Sequence, residues 1–162
     1  MAVYTAAMRP PVDQLSGRRA ILERHTTHPG FSALLALVDE RLVGFCYGFP
    51  GRPGQWWHDV VSNGLATSMP DEADNWLGDS FELAEIHVLP EYQGRGIGRE
   101  LMTSLCEGRT EQTVVLSTAD VESPARRLYR SLGFVDLITA FRFPGGIEDY
   151  AVMGSRLPLK PR

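Results

Sequence analysis

Apolar and polar residues alternate with a period of two along one stretch of the chain, residues 80–90 (SFELAEIHVLP). This alternation predicts a β-strand, because successive side chains of a strand point to opposite faces. One face would carry four residues: Phe81, Leu83, Glu85 and His87. After the proline that ends the strand, apolar positions return at helical spacing over residues 97–108, which predicts an amphipathic helix ending at Gly108.

The remaining patterns predict further strands and helices. The predicted elements are a helix over 11–28 broken near Ser16–Gly17 with Ile21 and Leu22 on its buried face, strands over 31–38, 42–49 and 113–119, a helix over 123–134, and strands over 134–143 and 147–157. The helix over 123–134 opens with a serine cap and a proline at its first position, as helices often do. This order of elements predicts a mixed α/β sheet with helices packed on its faces.

Residues 50–78 differ in character, because glycine, proline and acidic residues are mixed there with three tryptophans. We expect a long irregular segment with one or two short helices, and loops of that length are often functional. Its tryptophans either line an acceptor pocket or bury against the sheet, and its carboxylates either attract a cationic amine or are simply solvated. The residues concerned are Trp56, Trp57, Trp76, Asp71, Glu72, Asp74 and Asp79.

Composition narrows the range of functions. The 162 residues are 43% hydrophobic and 22% charged, as expected for a single globular domain over 1–162. The net charge of −4 and the lack of a basic block argue against nucleic-acid binding. The apolar runs are too short to cross a membrane and no signal peptide is recognised, so we expect a cytoplasmic protein. Cys46 and Cys106 are too few for a disulfide framework or a metal site, and both are predicted to lie in the core.

The segment 93–98 (QGRGIG) has the chemistry of a phosphate-binding loop. A helix N-terminus leaves backbone N–H groups unpaired and carries partial positive charge, and glycines with φ > 0 aim successive amides inward. Arg95 and Arg99 would add charge nearby. The Rossmann and Walker A patterns are excluded, because the third glycine of the first and the Gly-Lys-Ser/Thr of the second are missing. A tight turn that uses glycine for geometry alone is the alternative.

Two motifs resemble a known family. Residues 85–102 (EIHVLPEYQGRGIGRELM) are similar to the signature of the GNAT superfamily of acyl-CoA N-acyltransferases, a strand ending in Val-x-Pro followed by Gln/Arg-x-x-Gly-x-Gly/Ala at a helix start. Residues 125–134 (ARRLYRSLGF) resemble the family's A-x-x-L-Y-x-x-x-G-F segment. The motifs have the family's order and separation, so together they are highly specific. By organisation the resemblance covers about residues 30–157.

The resemblance implies a mixed, largely antiparallel sheet of about six to seven strands with helices on both faces. It also implies an acceptor-side half over 1–78 and an acetyl-CoA-binding half over 79–157. In such folds acyl-CoA lies between two parallel strands, which here correspond to 80–89 and 113–119. The residues implied to bind acetyl-CoA are His87, Val88, Gln93, Gly94, Arg95, Gly96, Ile97, Gly98, Arg99, Ser123 and Tyr129.

For catalysis, the resemblance implies direct attack of an amine on the thioester. Tyr129 would be the general acid that protonates the leaving thiolate, and Glu85 the base that accepts the proton of the amine. Tyr129 also falls on the apolar stripe of its helix, which fits a core position equally. Glu85 is as compatible with a solvated or arginine-paired carboxylate. His87 is a second candidate base, and Glu82 and His58 are weaker ones.

The sequence departs from the family pattern at Glu122, where many members carry asparagine, so we expect Ser123 to supply any polar contact to CoA there. Few residues precede Pro10, so the family's first strand is expected to be short or missing. We therefore predict a metal-free, acetyl-CoA-dependent N-acetyltransferase for a primary amine of a small molecule, peptide or protein. Such domains often form homodimers through sheet edges. The alternative is a catalytically silent acyl-CoA-binding sensor or assembly module.

Overall fold

A computed structural model describes residues 1–160 of the chain. Within these residues the helices are α1 (Ala2–Met8), α2 (Leu15–His25), α3 (Trp56–Ser68), α4 (Ala73–Leu77), α5 (Ile97–Cys106) and α6 (Pro124–Ser131). The strands are β1 (Ser32–Val38), β2 (Arg41–Pro50), β3 (Ser80–Val88), β4 (Thr113–Ala119), β5 (Val135–Phe141) and β6 (Tyr150–Arg156), and short 3₁₀ turns cover Val12–Gln14 and Pro90–Tyr92. The strands form one sheet in the order β1-β2-β3-β4-β6-β5.

The chain divides into two compact units, of which the first comprises Met1–Phe49 and Leu83–Leu105. Its strands β1 and β2 form an antiparallel hairpin. Asp39 and Glu40 make the two-residue turn with φ values of 47° and 64°, as expected where both central residues of a hairpin turn are left-handed. The core of this unit is built around Val3, Val43 and Leu89.

The second unit comprises Pro50–Glu82 and the residues from Cys106 onward. Here β6 pairs antiparallel with both β4 and β5, and the first three residues of β3 run parallel to β4. The middle of α3 carries Gly64, where a Cβ would lie 2.7 Å from the ring of Phe141 on β5. The close approach of α3 to β5 therefore explains a glycine inside a helix. The buried core cluster consists of Val61, Leu65, Leu77, Val115, Leu137 and Val152.

Most of the predicted elements are confirmed. The β1–β2 hairpin, β3, β4, α5, α6 and the closing pair of strands lie where the patterns placed them. The sheet is mixed, mostly antiparallel and six-stranded, as predicted. Cys46 and Cys106 are both free and buried, and burial raises the pKa of Cys106 to about 11. Both cysteines are therefore core residues.

One prediction for the first half of the chain is wrong, and two other parts of it differ in detail from the sequence patterns. The helix predicted over 11–28 begins at Leu15, continues through Gly17 without a break and has no fully buried residue. Residues 2–8 form a helix that the pattern did not indicate, because it is held by burial of Val3 and Tyr4 rather than by a repeating apolar face. The segment 50–78 contains two helices, as expected, but α3 is 13 residues long rather than short.

Candidate active site

Gly94 and Gly96 lie between β3 and α5 and have φ values of 74° and 86°. Residues with a side chain rarely adopt these values, so the predicted left-handed conformation is confirmed. A Cβ at either position would meet no atom within 4 Å. No packing contact with the described residues therefore requires glycine here, and the space beside the loop is open among them. We call residues 93–98 the glycine loop.

The amides of the glycine loop are largely unpaired. Gln93 N–H donates to the carbonyl of Pro90 at 3.2 Å, and the Gly96 carbonyl accepts from Glu100 N–H at 3.0 Å. The amides of Gly94, Arg95 and Gly96 donate to no acceptor in residues 1–160. The first amides of the ten-residue α5 lack intrahelical partners as well. Together these donors make a site for an anion such as a phosphate.

Two side chains of the glycine loop bind back to their own chain. Gln93 Nε2 donates to the carbonyl of Val88 at 2.9 Å. Arg95 Nη2 donates to the carbonyl of Glu91 at 2.9 Å, and its guanidinium lies 5.0 Å from the ring centre of Tyr92. These contacts brace the loop without using the backbone amides of Gly94, Arg95 and Gly96.

Glu85 and His87 share one face of β3, as predicted, and their side chains are hydrogen-bonded to each other. Glu85 Oε1 accepts a second hydrogen bond from Arg18 Nη1 at 3.0 Å. Arg18 Nε in turn donates to the hydroxyl of Tyr4 at 2.9 Å. Both oxygens of Glu85 are therefore engaged, so the arginine-paired alternative describes this carboxylate. We call Tyr4, Arg18, Glu85 and His87 the Glu85 cluster.

Aromatic rings enclose the Glu85 cluster. The ring centre of His87 lies 5.2 Å from that of Tyr4, in an edge-on arrangement, and 5.4 Å from that of Phe45. The side chains of Glu85 and His87 are only 14% and 9% exposed. Burial lowers the pKa of Arg18, but the Glu85 carboxylate and the Tyr4 hydroxyl more than compensate and raise it above its ordinary value. Arg18 is therefore a permanent cation in this group.

A second pair of histidines lies in the same unit. His25 Nδ1 is 3.0 Å from the hydroxyl of Tyr47, and the rings of His25 and His28 both pack against Phe49. Burial, together with the charge of His28, lowers the pKa of His25 to about 4. His25 is therefore neutral at neutral pH and belongs to the aromatic packing of the unit.

The predicted site residues of α6 belong to the second unit. Tyr129 is 6% exposed and its ring lies 5.9 Å from that of Phe134, so its place on the buried stripe of the helix is confirmed. Ser123 caps the helix, because its Oγ accepts a hydrogen bond from Arg126 N–H at 3.1 Å. Glu122 accepts from Arg130 Nη1 at 2.6 Å. Glu122, which replaces the asparagine of many family members, thus forms a surface ion pair.

The two weaker base candidates are buried in the second unit. His58 Nε2 lies 3.2 Å from the carbonyl of Leu77, which fixes its ring, and Glu82 is 4% exposed. Among the tryptophans, Trp57 Nε1 donates to Ser117 Oγ at 3.0 Å, and Trp76 packs under the guanidinium of Arg156. Both tryptophans also pack against the core cluster. Burial against the sheet therefore describes Trp57 and Trp76.

Trp56 behaves differently from the other two tryptophans. It is 60% exposed and its ring lies 5.6 Å from that of Phe143. The carboxylates of the same segment are exposed or half-exposed: Asp71, Glu72, Asp74 and Asp79. A role for these residues in acceptor binding stays a prediction.

Tyr4 and Arg18 are the members of the Glu85 cluster that the sequence analysis missed. Arg18 and Glu85 are 67 positions apart, and Tyr4 lies on a helix without an amphipathic pattern. No spacing in the sequence pairs these residues. Within the sequence, only Glu85 and His87 on β3 indicate the cluster.

Comparison with known proteins decides the family. The chain matches the Acetyltransferase (GNAT) family over residues 2–134. The chain belongs to this family. A GCN5-like protein acetyltransferase of Mycobacterium tuberculosis is 37% identical over 186 aligned residues, which cover 98% of this chain and 90% of that protein. The resemblance of the two motifs is thereby confirmed.

Two further GNAT comparisons agree. A thialysine N-epsilon-acetyltransferase of Bos taurus is 35% identical over 78 residues, which cover 43% of this chain and 46% of that protein. A solved GNAT-family acetyltransferase from Desulfovibrio desulfuricans has a TM-score of 0.67 at 16% identity, covering 96% of this chain and 88% of that one. The fold is therefore that of the GNAT family.

Membrane-spanning helices and clusters of metal ligands are both missing from residues 1–160. No helix there is both long and apolar enough to span a bilayer. Nor do three or more histidine, cysteine, aspartate or glutamate side chains come together there as a set of metal ligands.

Proposed function

We propose that the chain transfers an acetyl group from acetyl-CoA to a primary amine of a small molecule, peptide or protein, by direct attack in a ternary complex. The observation that carries the proposal is the glycine loop, with Gly94 and Gly96 at positive φ and unpaired amides at the start of α5. Family membership supports it. The relatives named above act, by their names, on protein and on thialysine, and both acceptors would present an amine.

The glycine loop fits the pyrophosphate of CoA. Its amides would donate to the phosphate oxygens, and no side chain would hold the phosphates away from the backbone. Backbone groups at the end of β3 would bind the pantetheine arm as an added strand does. The residues proposed for the donor are His87, Val88, Gln93, Gly94, Arg95, Gly96, Ile97, Gly98, Arg99, Ser123 and Tyr129.

The proposed reaction needs two proton transfers. The amine first gives up a proton to the pair formed by Glu85 and His87, and its lone pair then attacks the thioester carbonyl carbon. An N–C bond forms and the C–S bond breaks, so the electron pair of that bond leaves on sulfur. Tyr129 would donate its phenolic proton to the thiolate, since a neutral phenol carries an O–H donor.

One observation favours a second function. Both oxygens of Glu85 already accept hydrogen bonds, from Arg18 and from His87. A carboxylate engaged in this way is also what a structural ion pair would show. A catalytically silent acyl-CoA-binding module would keep the glycine loop and need no proton acceptor at this position.

The experiment that tests the proposal combines the chain with acetyl-CoA and a panel of primary amines, including peptides with a free N-terminus or a lysine. We expect thiol release that depends on at least one amine, together with an acetylated product of that amine detected by mass. A reaction without amine is the control. Binding of acetyl-CoA with no amine-dependent thiol release across the panel would instead support the silent module.

A further inference from the structure

The Glu85 cluster carries an inference that rests on the proposed acetyl transfer and goes beyond it. We propose that His87 is the group that takes the proton from the acceptor amine through Nδ1, and that Glu85 and Arg18 are positioning residues that hold its ring.

Both carboxylate oxygens of Glu85 are already hydrogen-bonded. Glu85 Oε1 accepts from Arg18 and Oε2 accepts from His87, so each oxygen already has a donor. A third donor, such as an alkylammonium, would have to compete with Arg18 and His87 for this carboxylate. The ring of His87 offers the other basic atom of the cluster.

The two ring nitrogens of His87 differ in their partners. A carboxylate can only accept, so the bond to Glu85 requires a proton on Nε2 and leaves Nδ1 with a free lone pair. Nδ1 has no protein partner among residues 1–160. In the same residues, the fully buried side-chain polar atoms without a partner are His58 Nδ1 and Arg126 Nε. The His87 side chain is 9% exposed and its Nδ1 is not among those atoms, so this nitrogen is not fully buried.

The position of the His87 ring is fixed by its neighbours. Tyr4 meets the His87 ring edge-on from α1, and Phe45 packs against it from β2. Arg18 on α2 donates to Glu85 and so fixes the position of the carboxylate, which in turn fixes the orientation of the His87 ring. A base oriented by a carboxylate, which is itself held by a third group, is the arrangement that activates histidine in other acyl-transfer sites.

The proposed transfer moves one proton from the ammonium to this histidine. The titratable and charged groups that face it are Glu85 on β3, Arg18 on α2 and Tyr4 on α1; Phe45 on β2 is neutral. When the amine loses its proton, the N–H bond of the ammonium breaks and a new N–H bond forms at Nδ1. The imidazolium is then stabilised by the adjacent carboxylate, and its proton passes to solvent after turnover.

The test is the pH dependence of kcat/KM for the wild type, His87→Gln and Glu85→Gln, with the amine found in the panel. His87→Gln should lose about 100-fold or more and should lose the rise of activity with pH, since general-base catalysis typically contributes 10²–10⁴-fold. Glu85→Gln should lower kcat/KM less than His87→Gln does and should keep the dependence on pH, because the ring loses its orienting carboxylate while Nδ1 can still take the proton. His28→Gln, a histidine outside the cluster, is the matched control and should keep the wild-type profile.

The opposite pattern overturns the inference: a pH profile that survives His87→Gln and disappears in Glu85→Gln makes the carboxylate itself the base. Acetyl-CoA binding, measured for each variant, separates loss of catalysis from loss of fold. Nitrogen-15 NMR of the histidine rings supplies a second test that needs no turnover. We expect the Nε2–H tautomer for His87 in the free protein, and an Nδ1–H tautomer contradicts the inference. A wild type that turns over no amine contradicts the proposed function itself. An active wild type whose kcat/KM is unchanged by His87→Gln contradicts this inference alone.

Discussion

The side-chain amide of Gln93 donates a 2.9 Å hydrogen bond to the carbonyl of Val88 and so ties the start of the glycine loop to the last residue of β3. The bond shapes the loop from within the chain. A loop shaped in advance binds its ligand without the cost of ordering it at the time of binding.

Removal of this bond should weaken donor binding. Gln93→Ala deletes the donor to Val88, and a typical intramolecular hydrogen bond contributes about 1 kcal/mol, which corresponds to a five- to tenfold higher Kd for acetyl-CoA. Titration calorimetry measures the change. Gln14→Ala, in the exposed 3₁₀ turn, is the control and should bind acetyl-CoA as the wild type does. Equal affinities for the two variants would show that Gln93 does not shape the donor site.

Gly96→Ala separates backbone strain from ligand binding when it is compared with Gly108→Ala. Both glycines have positive φ, 86° and 70°, and neither has an atom within 4 Å of the added Cβ. Each alanine should therefore lower the free energy of unfolding by about 1–2 kcal/mol through strain alone. Only Gly96→Ala should also lose affinity for acetyl-CoA, by at least about tenfold, because only that methyl stands in the anion site.

Urea unfolding and calorimetry give the two quantities for each variant. If both variants lose stability and neither loses affinity, the glycine loop is a turn and does not bind phosphate.

The glycine loop was predictable because the sequence features that indicate it are local. Gly94 and Gly96 lie beside a strand with a period of two and a helix with apolar positions at helical spacing, and local conformation follows from such patterns. The helix α3 was not predictable in the same way. Gly64 is required by its close packing against Phe141, which lies far along the chain. The reason for a glycine in this helix is therefore visible only in the tertiary structure.

Tyr129→Phe distinguishes an enzyme from a silent binding module. The change removes the phenolic proton and leaves the buried ring in its contact with Phe134. We expect kcat to fall by about 10²-fold or more with the Kd for acetyl-CoA nearly unchanged, because proton donation to the thiolate occurs only in the reaction. Unchanged kcat would remove Tyr129 from the mechanism and leave its core position as its whole role.

His25 should make stability depend on pH. Its pKa is about 4 in the folded protein, against an ordinary 6.5, because burial and the charge of His28 disfavour the protonated ring. The unfolded chain therefore binds a proton at a higher pH than the folded chain does. The contribution of this residue to stability is complete above pH 6.5 and is lost as the pH falls toward 4.

The comparison that checks this is urea unfolding of the wild type and His25→Gln at pH 7 and pH 5. After allowance for solvent screening, we expect the variant to lose about 1 kcal/mol less on acidification than the wild type. The bond to Tyr47 is lost at both pH values, so only the difference between them is informative. Identical losses in the two proteins would show that His25 does not carry the dependence.

The Glu85 cluster was only partly predictable from the sequence. Alternation along β3 puts Glu85 and His87 on one face, and the structure confirms that they meet. Arg18 and Tyr4 come from helices whose sequences carry no signal for this contact. Pairing of charges across elements is decided by where those elements pack, and packing is a property of the whole chain.

The measurement that tests the account most directly is the unfolding of the chain in the presence of acetyl-CoA, CoA or ATP. A ligand that binds only the folded state adds about 2.7 kcal/mol to the free energy of unfolding at 100 times its Kd. Acetyl-CoA and CoA should stabilise the wild type, ATP should not, and Gly96→Ala should be stabilised less than the wild type at the same ligand concentration. No stabilisation by acetyl-CoA at saturating concentration would contradict the account.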